Sequence, residues 1–327
     1  MAVPAPNLYP AFNTIRLSHV CLNVADLAAS KAFYVDTLGL QVTDESASHI
    51  YLRAMEERGH HCVILQKSAQ PGTVDVLGLK TFDEADLDRA HDYFAQKGRP
   101  VQWVERPFQG RTLLTSDNFG VPLEFCHKMD RLEPIHQQYT LYRGVKPLRI
   151  DHFNCFSPDV DASVAFYSDF GFRVTEYTED EQSSKLWAAW MHRKGNVHDM
   201  AFTNGTGPRL HHLAFWVPTP LNIIDLLDLM STTGYVGNIE RGPGRHGISN
   251  AFFLYILDPD GHRVEIYCSD YQTVDPDLEP IKWDLTDPQR QTLWGAPAPR
   301  SWFENGSPFA GIEPQRSTLA ASPIIAP

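Results

Sequence analysis

The stretch IDHFNCFSPDVDASVAFYSDFGFRVTE, residues 150–176, decides the fold because the chain carries its pattern twice. The earlier copy is LSHVCLNVADLAASKAFYVDTLGLQVTD, residues 17–44, and it aligns His19 with His152. A pattern that returns at a fixed separation indicates duplicated structural units. We therefore predict two related modules in one chain.

Later segments extend the repeat and set its boundaries. SDNFGVPLEFC, from Ser116, matches LDPDGHRVEIYC, from Leu257, so that Glu124 aligns with Glu265. The predicted parts are an N-terminal arm (1–14), a first module (15–130), a linker (131–147), a second module (148–272) and a C-terminal tail (273–327). A chain of 327 residues is long enough for two hydrophobic cores of this size.

Within the second module, the pattern predicts a strand, a helix and further strands, twice over. Apolar residues recur at helical spacing in 221–232, and alternating or short apolar runs bounded by turns indicate strands. The predicted strands are 152–156, 186–191, 199–203, 211–217, 252–257 and 263–268, and the predicted helices are 161–168 and 221–232. The fold class is therefore α+β, with tandem βαβββ modules that form two half-open barrel domains, followed by the tail.

Composition narrows the partners and the compartment. The net charge of −12 argues against nucleic acid or an anionic membrane as a partner, and no apolar run has membrane-spanning length. The N-terminal MAVPAPNLYPAF lacks the features of a secretory signal, and the five cysteines are scattered without a CxxC pair. We expect reduced thiols and a cytoplasmic protein.

Three polar residues of the second module occupy corresponding positions in its units. His152 lies in the first strand of one unit, His212 in the first strand of the next, and Glu265 in its last strand. Because strand side chains alternate, one residue from each strand can point to a shared face. Two imidazoles and one carboxylate on one side of a metal are typical of non-haem Fe(II) sites that use oxygen. A lone histidine is more often a hydrogen-bonded strand residue, so the hypothesis depends on the register that all three share.

The first module lacks part of this set. It keeps His19 and Glu124, but the segment 75–79, which aligns with the strand of His212, contains no histidine. We therefore expect the first module to be structural, without a metal, and the second module to be catalytic.

Longer motifs of the second module resemble a known enzyme family. GNVHDMAFTNGTGPRLHHLAFWVP (195–218), ERGPGRHGISNAFFLYILDPDGHRVEIYCSDY (240–271) and IDHFNC (150–155) resemble the type I extradiol catechol dioxygenases of the vicinal oxygen chelate superfamily. The similarity covers nearly the whole chain and is greatest to members that cleave 3,4-dihydroxyphenylacetate (homoprotocatechuate). It implies the glyoxalase-like fold of that superfamily and a metal held by the two histidines and the glutamate named above.

The resemblance also implies a reaction and an assembly. Such an enzyme opens a catechol ring beside its hydroxyls and inserts both atoms of O2, here giving a 2-hydroxymuconate semialdehyde in aromatic compound catabolism. Fe(II) is the implied cofactor and Mn(II) the alternative, because the same ligands suit both metals. The implied assembly is a homo-oligomer, a homotetramer in this family.

Further site residues follow from the resemblance, one position at a time. His198, in NVHD, corresponds to a histidine that handles protons, Tyr255, in FFLYILD, to a tyrosine that bonds a substrate oxygen, and His246, in GRHG, to a second histidine near the ring. The implied substrate-binding residues are Asn154, Trp190, Arg241 and Arg290, together with His246 and Tyr255. The two arginines would meet a substrate carboxylate, since guanidinium groups form charge-assisted bonds with carboxylates.

The sequence leaves other interpretations open. In one alternative, Arg241 forms a surface ion pair with the preceding residue, Glu240, and such a pair contributes little energy. His211 and His262 are interpreted as structural residues. The aromatic tail is expected to pack over the pocket, with a mobile lid as the alternative. The competing functions on this fold are a dioxygenase for another catechol, a glyoxalase-type isomerase or lyase, and a module that only sequesters a ligand.

Overall fold

Two large β-sheets form the framework of the molecule. The computed structural model describes residues 3–319. The first sheet has eight strands and the second has eleven. No helix within the described residues is long and apolar enough to cross a membrane.

The first sheet consists of two βαβββ units side by side. Its strands are β1 (Thr14–Val24), β2 (Gln41–Glu45), β3 (His49–Arg53), β4 (Val63–Lys67), β5 (Val74–Thr81), β6 (Gln102–Arg106), β7 (Gly110–Ser116) and β8 (Pro122–Cys126). Its helices are α1 (Leu27–Lys31), which continues as a π-helical segment (Ala32–Thr37), and α2 (Ala85–Gln96). The order β2-β3-β4-β1-β5-β8-β7-β6 puts the first strand of each unit at the centre.

The second sheet repeats this arrangement and adds three strands from the tail. Its strands are β9 (Arg149–Ser157), β10 (Arg173–Asp180), β11 (Lys185–His192), β12 (Met200–Asn204), β13 (Arg209–Trp216), β14 (Ile239–Arg245), β15 (Phe252–Leu257), β16 (Arg263–Cys268), β17 (Ile281–Asp284), β18 (Trp294–Gly295) and β19 (Ser307–Pro308). Its helices are α3 (Val160–Asp169), α4 (Pro220–Thr232) and α5 (Arg300–Glu304). The order is β17-β10-β11-β12-β9-β13-β16-β15-β14-β18, with β19 against β13.

The strand pairing is the same in both sheets. In the first sheet β1 is parallel to β4 and antiparallel to β5, and β5 is parallel to β8. In the second sheet β9, β12, β13 and β16 pair in the same way. The predicted α+β class with tandem βαβββ units in half-open barrels is confirmed.

The predicted elements of the second module agree with the observed ones, with two omissions. β15 and β16 have the predicted bounds, and the other predicted elements differ by at most three residues at an end. The sequence prediction missed β10 and β14. β14 contains Gly-Pro-Gly, which is unfavourable within a strand, and two register shifts against β15 accommodate it.

Both long helices of the second module begin where the sequence supplies a cap. The carboxylate of Asp159 accepts a hydrogen bond from the backbone N–H of Ala162 at 3.0 Å, at the start of α3. Thr219 and Asn222 form a capping box before α4, with Pro220 at its first position. These caps fix where each helix starts and therefore which face packs on the sheet.

A reciprocal pair of hydrogen bonds joins the two modules. The hydroxyl of Tyr34 in the first module donates to Asp258 Oδ2 in the second at 3.0 Å. The hydroxyl of Tyr167 in the second donates to Asp117 Oδ2 in the first at 3.4 Å. Burial raises the pKa of Asp117 to about 6 and also raises that of Asp258. Each module thus supplies a hydroxyl to a buried carboxyl group of the other.

Tyr34→Phe and Tyr167→Phe are each expected to lower the free energy of unfolding by about 1–3 kcal/mol, because a buried carboxyl group loses a hydrogen bond. Urea unfolding followed by circular dichroism measures the change. Tyr9→Phe is the control, since Tyr9 is 93% exposed. Identical unfolding curves for the three variants would show that these bonds add no stability.

Candidate metal centre and substrate cavity

His152, His212 and Glu265 meet at the centre of the second sheet. They lie on β9, β13 and β16, which are consecutive in the sheet, and their side chains are at most 4% exposed. His152 Nε2 lies 3.2 Å from His212 Nε2, and Glu265 Oε2 lies 2.9 and 3.1 Å from these two nitrogens. Within residues 3–319, no other group of three histidine, cysteine or acidic side chains brings its donor atoms this close.

The three donor atoms form a triangle of the size that a divalent metal requires. Metal–ligand bonds of about 2.1 Å on one face of an octahedron separate the donors by about 3.0 Å. Burial by itself raises the pKa of Glu265, but the imidazole rings of His152, His212 and His246 beside it outweigh burial and hold the pKa well below its usual range. The third corner is therefore an anionic oxygen, and the donor set fits a divalent transition metal.

Two more histidines and a tyrosine stand beside the triangle. The ring centroids of His198 and His152 lie 3.8 Å apart. The Nδ1 atom of His198 has no hydrogen-bond partner among the described residues. His246 Nε2 lies 3.1 Å from the hydroxyl of Tyr255 and 3.6 Å from Glu265 Oε1. These groups can exchange protons with a molecule bound next to the metal position.

Two buried arginines face the same cavity. Arg241 is 3% exposed, and its Nη2 donates to the Thr292 hydroxyl at 2.8 Å. Its Nε and Nη1 have no hydrogen-bond partner among the described residues. Arg290 is 1% exposed, and its Nε donates to the carbonyl of Leu285 at 3.1 Å. Burial lowers the pKa of both guanidinium groups to about 10, so both remain cationic at neutral pH.

The interpretation of Arg241 as a surface ion pair with Glu240 is wrong. Glu240 instead pairs with Arg263, whose Nη2 donates to Glu240 Oε1 at 2.9 Å. Adjacent residues of a strand point to opposite faces, so the side chain of Arg241 enters the cavity while that of Glu240 turns away from it.

One cavity collects every site residue predicted from the sequence. The predicted residues that line it are His152, Asn154, Trp190, His198, His212, Arg241, His246, Tyr255, Glu265 and Arg290. Trp302 of the tail also lines it, as do Trp187, Thr203, Tyr267 and Gln291, which sequence reasoning did not identify. The tail therefore forms part of the wall through Arg290 and Trp302.

Asp151 is a further buried residue that sequence reasoning missed. Its Oδ2 lies 3.1 Å from His152 Nδ1, and it accepts hydrogen bonds from Asn196 Nδ2 at 2.8 Å and from the hydroxyl of Tyr267. A carboxylate behind a ligating histidine orients its ring. An acidic residue next to a predicted histidine ligand was the signal that would have found it.

In the first module, the charge of Glu124, the residue that aligns with Glu265, is compensated by different partners. Glu124 accepts hydrogen bonds from Arg106 Nε at 3.1 Å and from Gln109 Nε2 at 2.9 Å, and it also contacts His19 Nε2. Gly78 lies against the His19 ring, and a Cβ there would come within 2.3 Å of it. Burial raises the pKa of Glu124, but its three partners outweigh burial and lower the pKa to about 2. A histidine and a guanidinium thus compensate the charge of the carboxylate in this module.

Comparison with known proteins identifies the family. Residues 16–125 and 149–266 match the model of the Glyoxalase/Bleomycin resistance protein/Dioxygenase superfamily. The metapyrocatechase of Geobacillus stearothermophilus is 30% identical over 321 residues, which cover 93% of this chain and 97% of that protein. The manganese-dependent 2,3-dihydroxybiphenyl 1,2-dioxygenase of Geobacillus genomosp. 3 is 31% identical over 302 residues, covering 86% and 94%.

A solved structure is also similar over nearly its full length. The homoprotocatechuate 2,3-dioxygenase of Brevibacterium fuscum, in an anaerobic complex with 3,4-dihydroxyphenylacetate, is 42% identical with a TM-score of 0.90. The match covers 96% of this chain and 99% of that one.

The chain belongs to the Glyoxalase/Bleomycin resistance protein/Dioxygenase superfamily. Within it, the chain is an extradiol catechol dioxygenase, an oxidoreductase. The resemblance seen in the sequence motifs is thereby confirmed, and the isomerase, lyase and ligand-sequestering alternatives are not supported.

Arg106→Met is expected to lower the free energy of unfolding by about 1–2 kcal/mol, because Glu124 loses its guanidinium partner. Metal content should stay the same, since the change lies in the first module. Thermal unfolding and elemental analysis of the same sample test both points. Arg300→Met, which removes a surface pair with a 77% exposed arginine, is the control and should unfold like the unaltered protein. If the two variants unfold alike, Arg106 does not stabilise the buried carboxylate.

Proposed function

We propose that this extradiol dioxygenase cleaves a catechol with a carboxylate side chain, and that its substrate is 3,4-dihydroxyphenylacetate. The observation that carries the proposal is the pair of buried guanidinium groups, Arg241 and Arg290, in the cavity of the donor triangle. Arg241 retains unpaired N–H donors there, and a carboxylate is the partner that such donors bind most strongly. The similar enzyme of Brevibacterium fuscum forms a complex with this compound.

The proposal includes Fe(II) or Mn(II) held by His152, His212 and Glu265. Such a metal, when bound, lowers the pKa of a catechol hydroxyl and provides a path for electrons from the ring to O2. Two neutral imidazoles and one carboxylate suit either metal, and one similar enzyme is manganese-dependent.

The remaining cavity residues divide the work of positioning and proton transfer. His198 is proposed to accept a proton from the catechol and to return it later in the reaction, since its ring lines the cavity beside the donor triangle. The hydroxyl of Tyr255, which contacts His246 Nε2, is proposed to form a hydrogen bond with a hydroxyl oxygen of the catechol. Asn154 and Trp190 form the wall against the ring and O2. The product is a 2-hydroxymuconate semialdehyde that contains both oxygen atoms.

The two modules then have different tasks. Residues 148–272, with the tail 273–327, form the catalytic part, and residues 15–130 form a structural module without metal. The neutralisation of Glu124 by Arg106 supports this division. The family resemblance supports a cytoplasmic homotetramer in aromatic compound catabolism.

The protein reconstituted anaerobically with Fe(II) or Mn(II) is expected to consume one O2 for each 3,4-dihydroxyphenylacetate and to form a yellow product. An oxygen electrode, with metal analysis of the same sample, measures this. His212→Ala should retain neither metal nor activity, because one of three ligands is removed. The same oxygen-uptake measurement is made with catechol, 4-methylcatechol and protocatechuate as alternative substrates. Turnover of uncharged catechols alone would contradict the proposed substrate, and absence of uptake with every catechol would contradict ring cleavage by this site.

Arg241→Met is expected to raise the KM for 3,4-dihydroxyphenylacetate by about 10- to 100-fold, because a charge-assisted hydrogen bond is worth about 1.5–3 kcal/mol. The KM for 4-methylcatechol, which has no carboxylate, should change little. Steady-state oxygen uptake with both substrates gives the comparison. Arg245→Met is the matched control, since Arg245 lies on the same strand and donates to the carbonyl of Asn250. An equal loss with both substrates would show that Arg241 only maintains the fold of the cavity.

A further inference from the structure

We propose that His211 is a positioning residue that fixes the tautomer of its neighbour His212, and that the backbone carbonyl of Trp302 in the tail sets this arrangement. The inference rests on the metal role proposed above for His212. It gives a function to a side chain that the strand pattern alone marks as structural.

A chain of three contacts runs from the tail to the donor triangle. The carbonyl oxygen of Trp302 lies 2.8 Å from His211 Nε2. His211 Nδ1 lies 2.6 Å from His212 Nδ1. His212 Nε2 forms a corner of the triangle, 3.1 Å from Glu265 Oε2. His211 is completely buried and His212 is 3% exposed, so these ring nitrogens find their partners within the protein.

Hydrogen-bond chemistry assigns the protons along this chain. A carbonyl oxygen only accepts, so His211 Nε2 carries a proton and donates it to Trp302. In a neutral ring the other nitrogen, His211 Nδ1, is then an acceptor. The proton between the two Nδ1 atoms must therefore belong to His212.

This assignment leaves His212 in the form that binds a metal. With its proton on Nδ1, its Nε2 has a free lone pair at the donor triangle. The opposite arrangement, in which His211 donates from Nδ1, would move the proton of His212 to Nε2 and block that corner. The carbonyl of Trp302 selects between the two arrangements, because it needs a donor at His211 Nε2.

The other ligand histidine is oriented by a different group. His152 Nδ1 lies 3.1 Å from the carboxylate of Asp151, which accepts its proton directly. His212 has an imidazole behind it instead, and that imidazole depends on the tail. Only one of the two ligand histidines is therefore sensitive to the position of α5.

Arg263 holds the tail in register for this contact. Its Nη1 donates to the carbonyl of His211 at 2.9 Å and to that of Asn305 at 2.9 Å, and its Nη2 donates to the carbonyl of Ser301 at 3.2 Å. One guanidinium thus joins the strand that carries His211 to residues on both sides of Trp302. The carbonyl of Trp302 is fixed where His211 Nε2 can reach it.

The test compares His211→Phe with His211→Asn. Phenylalanine keeps the ring volume and removes both nitrogens, whereas the side-chain oxygen of asparagine can still accept the proton of His212 Nδ1. We expect His211→Phe to weaken Mn(II) binding by about 10- to 100-fold and His211→Asn to weaken it less. A packing role predicts the reverse order, because phenylalanine fills the space better. Competition with a chelating dye gives the dissociation constants, and circular dichroism checks the fold.

His262→Phe is the matched control. His262 is a completely buried histidine of the same module, whose Nδ1 contacts the Ser307 hydroxyl at 2.7 Å and whose Nε2 contacts the carbonyl of Asn23 at 3.2 Å. It loses comparable contacts without touching a ligand, so its Mn(II) affinity should equal that of the unaltered protein.

The outcomes separate this inference from the proposed function. If the unaltered protein binds neither Mn(II) nor Fe(II), the proposed function fails and the inference fails with it. If the unaltered protein binds metal and His211→Phe binds it equally well, only the inference is overturned. Equal weakening in His211→Phe and His262→Phe would also overturn it, because a general loss of packing would then account for the effect.

Discussion

A carboxylate buried at the centre of a β-sheet must be neutralised, and the rest of this molecule depends on how each module meets that constraint. The first module neutralises Glu124 with Arg106 and a neighbouring histidine. The second module places two imidazole nitrogens about 3 Å from Glu265, and the three donor atoms together fit a divalent cation. The same strand pairing therefore carries a carboxylate with an arginine partner in one sheet and a carboxylate with two imidazole nitrogens beside it in the other.

The duplicated fold explains why the cavity has residues from so many elements. In each unit the first strand lies at the centre of the sheet, so His152 on β9 and His212 on β13 become neighbours although sixty residues separate them. The outer strands β11 and β14 then bring Trp190 and Arg241 to the same concave face. The tail completes the wall through Arg290 and Trp302, which lie between tail segments that pair with the sheet as β17, β18 and β19.

Much of this arrangement could be predicted from the sequence, and particular residues show where prediction fails. The repeat defined the strands that carry His152, His212 and Glu265, because alternation and register follow from strand geometry. β14 was missed, since its Gly-Pro-Gly segment forms a strand through pairing with β15 and β18. Such tertiary pairing is invisible to local propensity.

The contacts that surround the donor triangle were harder to predict from the sequence. The partner of Glu240 is Arg263, twenty-three residues away, and this long-range choice frees Arg241 for the cavity. In a regular strand His211 and His212 would point to opposite faces, but a register shift against β9 between Leu210 and His212 interrupts this alternation, and their Nδ1 atoms meet at 2.6 Å. The carbonyl of Trp302 has no sequence signal at all, because every residue carries one. Backbone contacts of this kind emerge only when the tail is folded onto the strand.

The exchange of tyrosine hydroxyls between the modules has a consequence for how this enzyme can be divided. Asp258 belongs to the turn that leads into the strand of Glu265, and its hydroxyl partner is supplied by the other half of the chain. A truncated protein of residues 148–319 would expose the carboxyl group of Asp258, and the hydroxyl of Tyr167 would lose its acceptor, Asp117. The half that carries the donor triangle therefore reaches its full stability only with the other half attached to it.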